Sequence, residues 1–206
     1  MHEIQFAVIG PNFIKSENIL ITMKIILVTG IPQVDRGVLI EIVMKRLNMP
    51  QKDLVFVDFD DISDIMKSVT KGKDLTIKQI SEMIDRMNDE FEKAVIKAMK
   101  KCDGVLVINC SLTLNTEVGL FPVLSKEFFE SFSPELIILV EGFPPELTNK
   151  ESEMKALERH QDINRTYAFS YSAFSHSVID RLRAKKGRAD DAARSITVLI
   201  RSVVTG

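Results

Sequence analysis

The chain has 206 residues, of which 45% are hydrophobic and 27% charged, and its formal net charge is −2. This is the composition of a globular protein, and the length suits one domain with a substantial core. Positive and negative side chains are interspersed, so neither nucleic acid nor a lipid surface is indicated as a partner. The longest apolar runs are far shorter than the roughly 18 residues of a membrane span, and the N-terminus does not read as a secretory signal. We expect a cytoplasmic protein.

The first 22 residues precede a second methionine, Met23, which stands directly before the first predicted strand. Either these residues form an added edge strand, or the natural start is Met23. We divide the chain into an N-terminal extension, 1–22, and one domain, 23–206.

Five short apolar runs predict β-strands at 24–29, 54–59, 104–109, 135–140 and 177–182. Apolar residues in consecutive positions favour strands that are covered on both faces, as in a parallel sheet. The intervening stretches have helical periodicity, at 38–47, from Thr76 through Met99, at 152–174 and at 190–203. Thr76 is the predicted N-cap, with Gln79 three residues on. The alternation predicts a three-layer, doubly wound α/β fold around a mainly parallel five-stranded sheet.

Ligands of doubly wound sheets bind beyond the carboxyl ends of the strands, so the loop after the first strand is a candidate binding site. The loop begins at Gly30 but departs from the phosphate-binding pattern G-x-x-x-x-G-K-[ST]. Asp35, Arg36 and Gly37 stand where that pattern has glycine, lysine and a hydroxyl. Asp35 would repel phosphate, Arg36 keeps a cation, and Gly37 offers no magnesium ligand. Either Arg36 supplies charge to a weak anion site, or Asp35 and Arg36 pair with each other or with the sheet edge in a structural loop.

Other polar residues have a structural and a functional interpretation. Asp58, Asp60 and Asp61 could meet a metal or a ribose, but Asp61 as a helix N-cap is preferred. His160 is preferred as a packing residue over a general base. The basic run 181–188 could meet RNA, an acidic partner or the adenine-side phosphate, but a solvated loop that turns at Gly187 is preferred. The two cysteines, Cys102 and Cys110, fit neither a disulfide framework nor a zinc site, and we expect buried thiols.

Three segments carry a family resemblance. Gly30, Ile31, Pro32 and Val34 match the opening G-[VI]-P-G-V-G-K-[ST]-T of archaeal adenylate kinases. The segment Gly119–Pro122 resembles part of that family's G-Y-L-P-G-L-P loop. The strongest match is to its E-E-H-Q-x-x-N-R helix, through His160, Gln161, Asn164 and Arg165. From about Met23 onward the chain therefore resembles archaeal adenylate kinase, which implies a fold of the P-loop nucleoside-monophosphate-kinase type.

The resemblance also implies site residues and partners. For the cofactor it implies Gly30, Pro32, Asp35, Arg36 and Gly37, with Arg36 also as the catalytic cation. For the substrate it implies Gly119, Pro122 and Arg165. ATP is the expected cofactor, the use of Mg²⁺ is left open, and no metal ligand is assigned. Adenine nucleotides and a homo-oligomer, a trimer by resemblance, are the expected partners.

Several departures from the family bear on activity. The family's acidic residue in the third strand is compared with Ile108, and the segment 141–157, where the family has lid arginines, contains none. Lys71, Lys73 and Arg86 stand in no motif matching the family's AMP-binding arginine. We expect an adenine-nucleotide-binding protein in which ATP:AMP phosphotransfer is weak or lost. The alternatives are a non-catalytic scaffold that forms a homo-oligomer, and an enzyme of altered chemistry using Asp60 or His160.

Overall fold

The structure, a computed structural model, describes residues 23–50, 52–59, 75–185 and 187–205. The predicted extension 1–22 lies outside these ranges, as do Asp60, Asp61, Lys71 and Lys73. The described elements, in chain order, are β1 (Lys24–Thr29), α1 (Arg36–Leu47), β2 (Leu54–Asp58), α2 (Ile77–Met99), β3 (Val105–Asn109), β4 (Thr113–Thr116), β5 (Gly119–Pro122), α3 (Lys126–Ser131), β6 (Leu136–Gly142), α4 (Pro144–Leu147), α5 (Glu151–Ser175), β7 (Val178–Ala184) and α6 (Ala189–Thr205).

The main sheet has five strands in the order β2-β3-β1-β6-β7, and every neighbouring pair is parallel. All five predicted strands are confirmed, and β6 and β7 each continue two residues beyond the predicted end. Strands β3 and β2 lie on one side of β1, and the later strands β6 and β7 lie on the other. Because the strand order changes direction at β1, a crevice is expected at the carboxyl end of this central strand.

Two helical layers cover the sheet, one on each face. Ile25 and Leu27 of β1 pack with α2, α3 and α5, whereas Ile26 and Val28 pack with α1 and α6. Successive side chains of a strand point to opposite faces, so a strand between two layers must be apolar at consecutive positions. The predicted three-layer α/β fold is confirmed.

Helix α2 begins as the sequence predicts. Thr76 is the N-cap, and its hydroxyl accepts a hydrogen bond from the Gln79 amide at 3.3 Å. The Gln79 side chain accepts in turn from the Thr76 amide at 2.9 Å, which completes a capping box. One apolar face then runs the length of the helix, with Ile80, Ile84, Met87, Phe91 and Val95 buried.

An antiparallel hairpin, β4 with β5, was not predicted, and neither was the short helix α4. The hairpin pairs Thr113 with Pro122 and Thr116 with Gly119, so Gly119–Pro122 is a strand rather than a loop. Strands of four residues with mixed polarity give little periodic signal. Gly119 has φ of +144°, a backbone conformation that favours glycine.

Cys102 and Cys110 are buried free thiols, as expected. Burial raises the pKa of the Cys102 thiol above its ordinary value. Across the ranges that the structure describes, no helix combines the length and the apolar character needed to cross a membrane.

Candidate functional site

The loop after β1 lies at the centre of the sheet's carboxyl edge. A Cβ on Gly30 would lie 2.3 Å from the Val140 carbonyl oxygen, so glycine is required where the loop leaves the sheet. A 3₁₀ turn, Pro32–Val34, follows, and α1 begins at Arg36. Asp35, between them, has φ of 52° and ψ of 51°. This left-handed conformation costs a non-glycine residue energy, which explains why the phosphate-binding pattern has glycine here.

Arg36 points into the protein and is 1% exposed. Its Nη1 donates to the carbonyl oxygens of Gly30 and Ile31, the latter at 2.8 Å. Its Nη2 donates to Ser111 Oγ at 2.9 Å, and its Nε donates to Asn109 Oδ1, also at 2.9 Å. At least four of the five guanidinium N–H groups are therefore bound to the loop itself and to the residues at and after the end of β3.

The loop's amide groups are also used internally. Val34 N–H donates to the Ile31 carbonyl at 3.2 Å, and Asp35 N–H donates to the Pro32 carbonyl at 3.2 Å. Pro32 itself has no N–H. An anion cradle needs several backbone N–H groups that turn inward to the ligand. Here two of them complete the 3₁₀ turn instead.

The end of β3 continues the hydrogen-bond network that Arg36 begins. Asn109 Nδ2 donates to Asp58 Oδ1 at 3.1 Å, so the amide joins the buried guanidinium to a carboxylate at the end of β2. Ile108, compared in the sequence with a family carboxylate, lies in the core beneath α2 and α5. Because side chains alternate along a strand, Asn109 and not Ile108 reaches the loop.

Two cavities flank the loop. One, of about 240 Å³, is lined by Pro32, Gln33, Phe59, Ser111, Thr113, Leu114, Asn115, Val123 and His160. The other, of about 320 Å³, lies between the loop, the end of β6 and the start of α6. Asp35, Glu146 and Lys185 line this second cavity. Gln33 lines both, so the exposed face of the turn separates them.

The segment of α5 that resembles the family's H-Q-x-x-N-R motif ties the helix to the sheet edge. Gln161 Oε1 accepts from the Gly142 amide at 2.8 Å, at the end of β6. Asn164 Oδ1 accepts from the Leu112 amide at 3.1 Å and from the Thr113 hydroxyl at 3.2 Å. His160 Nε2 lies 3.0 Å from Thr113 Oγ1 and is 2% exposed. These bonds satisfy buried backbone groups that the strand ends leave open.

Arg165 belongs to an ion cluster around the buried carboxylate of Glu141. Its guanidinium contacts Glu141 Oε1 at 2.6 Å and Asp162 Oδ1 at 2.7 Å. Arg181 of β7 binds the other carboxylate oxygen of Glu141. Burial alone would lower the pKa of Arg165, but the hydrogen bonds and charges of Glu141 and Asp162 together outweigh burial and raise it. The cluster joins β6, β7 and α5 close to the second cavity.

The predicted site residues are therefore only partly brought together. Gly30, Pro32, Asp35, Arg36 and Gly37 form one turn, with Pro32 and Asp35 exposed and Arg36 buried. Gly119 and Pro122 lie in the hairpin, and Arg86 is exposed on α2. Asn109, Ser111 and Glu141 were missed as site residues. Each is a polar residue at or just after the carboxyl end of a central strand, which is the signal that could have found them.

The parallel strand order, the helices on both faces and the loop-to-helix turn after β1 define an α/β protein of the P-loop nucleoside-monophosphate-kinase class. No family model matches the chain. Among similar proteins are the adenylate kinases of Thermococcus onnurineus, 23% identical over 75% of this chain and 83% of the relative, and of Thermoplasma acidophilum, 21% identical over 84% and 96%. The adenylate kinase of Methanococcus vannielii is 22% identical over 86% and 98%. The chain is related to the archaeal adenylate kinases.

Proposed function

We propose that this protein binds adenine nucleotides in the crevice around the loop after β1, and that its ATP:AMP phosphotransfer activity is weak or lost. Two features support binding: the relatives are adenylate kinases, and a cavity lies on each side of the loop. Both cavities are at the carboxyl edge of the sheet, where ligands of such folds bind.

The observation that carries the loss of activity is the position of Arg36. Phosphoryl transfer depends on a cation that grips the phosphates and on electrostatic stabilisation of the developing charge. The Arg36 guanidinium instead donates to Gly30, Ile31, Asn109 and Ser111. A phosphate group would have to displace these acceptors. This arrangement supports the interpretation in which Arg36 pairs with the sheet edge, and Arg36 as a catalytic cation stays a prediction.

The residues at the loop do not fit a magnesium triphosphate. Gly37 has no hydroxyl to bind Mg²⁺, and the exposed Asp35 carboxylate stands beside the position a polyphosphate would need. The segment 141–157 also lacks an arginine that could stabilise transferring charge. Losing one such arginine alone costs about 10³-fold to 10⁵-fold in rate.

The test is a phosphotransfer assay with AMP and Mg·ATP, run beside an active archaeal adenylate kinase under the same conditions, together with calorimetric titration of AMP, ADP and ATP. We expect binding of adenine nucleotides and a turnover number at least about 10³-fold below that of the active enzyme. Turnover in the ordinary kinase range of about 1–100 s⁻¹ would refute the loss of activity. No heat and no chemical-shift change with any adenine compound would refute the binding.

The second candidate function is a non-catalytic scaffold that forms a homo-oligomer. Its support is three exposed apolar side chains in the second half of α5 and at the start of the edge strand β7: Phe169 at 49%, Phe174 at 61% and Val178 at 66% exposure. Light scattering of the full chain, with and without nucleotide, tests it. A stable oligomer that forms without nucleotide and dissociates in Phe174→Asp would favour the scaffold, and a monomer would remove it.

A further inference from the structure

We propose that ligand binding in this protein rests on an uncharged nucleoside moiety in the 240 Å³ cavity and gains nothing from phosphate groups. The proposal rests on the proposed nucleotide binding and names its ligand class. In proteins with a phosphate-binding loop, the contacts between the loop and phosphate usually supply much of the affinity. Here the contacts to the nucleoside supply it instead.

The first argument is that the guanidinium of Arg36 and two of the loop's amides are already bound. Arg36 donates to four protein oxygens, and the amides of Val34 and Asp35 donate to carbonyls of the same turn. Hydrogen bonds to a charged group are among the stronger ones in proteins. To bind an incoming phosphate, these donors would therefore have to exchange their protein acceptors for phosphate oxygens. The exchange would leave little net gain in binding free energy.

The second argument is the chemistry of the cavity lining. Phe59, Leu114 and Val123 give it apolar walls, and Phe59 offers an aromatic ring. Ser111, Thr113, Asn115, Gln33 and His160 add hydroxyl, amide and imidazole groups. Apolar walls with a few convergent polar groups are typical of small-molecule sites. Among the nine described lining residues there is no lysine, arginine, aspartate or glutamate.

The third argument is size. Pockets for drug-sized ligands have volumes of about 300–1,000 Å³. At 240 Å³ the cavity falls just below that range, which suits a base with its sugar better than a ligand carrying a triphosphate. A polyphosphate leaving this cavity would pass the loop toward the second cavity, whose charged lining residues among those described are Asp35, Glu146 and Lys185. Two carboxylates against one ammonium give that exit a net negative charge, which disfavours a polyphosphate.

The test is calorimetric titration of the full chain with adenosine, AMP, ADP and ATP, without magnesium. We expect affinities within about threefold of one another, which is less than one kcal/mol of difference. The affinity for AMP should change less than about twofold between low and high salt, since phosphate contacts are screened by salt and nucleoside contacts are not. A gain of about tenfold or more from adenosine to AMP or ATP would overturn this proposal and leave nucleotide binding standing. Failure of all four to bind would remove both.

A matched pair of variants locates the ligand. Asn115 is exposed at the cavity, and Asn149 is exposed outside both cavities, so Asn→Ala at either position spares the core. Asn115→Ala should weaken all four ligands by a similar factor, about threefold to tenfold, as expected for one lost hydrogen bond. Asn149→Ala should change none. Equal behaviour of the two variants would place the ligand elsewhere and overturn the proposal.

Discussion

Arg36 and Asn109 lie 73 positions apart in the chain and meet inside the protein, with Nε donating to Oδ1 over 2.9 Å. The bond fixes the orientation of the Asn109 amide, whose nitrogen then donates to Asp58. The loop after β1 is thus fastened to β3 and, through β3, to β2. Arg36, at the position where the phosphate-binding pattern has lysine, is here part of an internal hydrogen-bond network.

Removing the Arg36 side chain should destabilise the fold. In Arg36→Ala the acceptors on Gly30, Ile31, Asn109 and Ser111 lose their donor, and a buried void remains. We expect a loss of about 2–4 kcal/mol in the free energy of unfolding, measured by urea denaturation.

Arg46, on the same helix, is the matched control for Arg36. Its guanidinium pairs with Asp190 at the surface, where ion pairs contribute about 0–1 kcal/mol. Arg46→Ala should therefore cost less than 1 kcal/mol. If the two variants lose similar stability, the internal bonds of Arg36 add nothing to the fold.

The two glycines of the loop should respond oppositely to alanine. A Cβ at Gly30 would lie 2.3 Å from the Val140 carbonyl oxygen, whereas one at Gly37 would meet nothing within 4 Å. Gly30→Ala should therefore cost more than about 2 kcal/mol or prevent folding, since the sheet backbone must shift. Gly37→Ala should raise the melting temperature, with a gain of about 0.5 kcal/mol from the higher helix propensity of alanine. A destabilised Gly37→Ala would show that this position has a contact partner.

The order of elements could be predicted from the sequence because strands that are buried on both faces of the sheet have a recognisable pattern of apolar residues. Strands such as Lys24–Thr29 and Leu136–Gly142 are apolar at consecutive positions, and the stretches between them have a helical period. The hairpin Thr113–Thr116 with Gly119–Pro122 was missed because its strands are short and its residues are of mixed polarity.

The direction of the Arg36 side chain could not be predicted in the same way. The sequence placed Arg36 in the loop before the helix predicted at 38–47, but its partners Asn109 and Ser111 are distant in sequence and come into reach only when β3 lies beside β1. The same holds for Gln161 and Asn164, which the sequence singled out only as matches to a family motif. Their observed partners are backbone amides of Gly142 and Leu112.

Stability should fall at alkaline pH through Cys102. Burial raises the pKa of this thiol in the folded protein, so the unfolded chain loses its proton first as pH rises. A raised folded pKa favours the fold fully below the unfolded pKa, about 8.5, and that contribution is lost as pH rises toward the folded pKa. Urea midpoints measured from about pH 7 to 10 should fall more steeply for the native protein than for Cys102→Ala. Parallel slopes for the two proteins would show that another group causes the decline.

Glu141 should matter far more than the surface carboxylates. It is 3% exposed, and both of its oxygens are bound by arginines, Arg165 on α5 and Arg181 on β7. Glu141→Gln keeps the shape but removes the charge that balances these two cations. We expect a loss of about 1.5–3 kcal/mol in the free energy of unfolding, the range for hydrogen bonds to a charged group, because the two arginines left behind are partly exposed to water.

The control for Glu141 is Glu151→Gln, because Glu151 pairs with Lys155 one helical turn along the exposed face of α5. An exposed pair of this kind contributes about 0.3–0.5 kcal/mol, and salt screens it. The difference between the two variants should persist at high salt, since the Glu141 carboxylate is shielded from solvent. If added salt abolishes the difference, the Glu141 cluster behaves as a surface network, and the attachment of α5 to the sheet edge must come instead from Gln161 and Asn164.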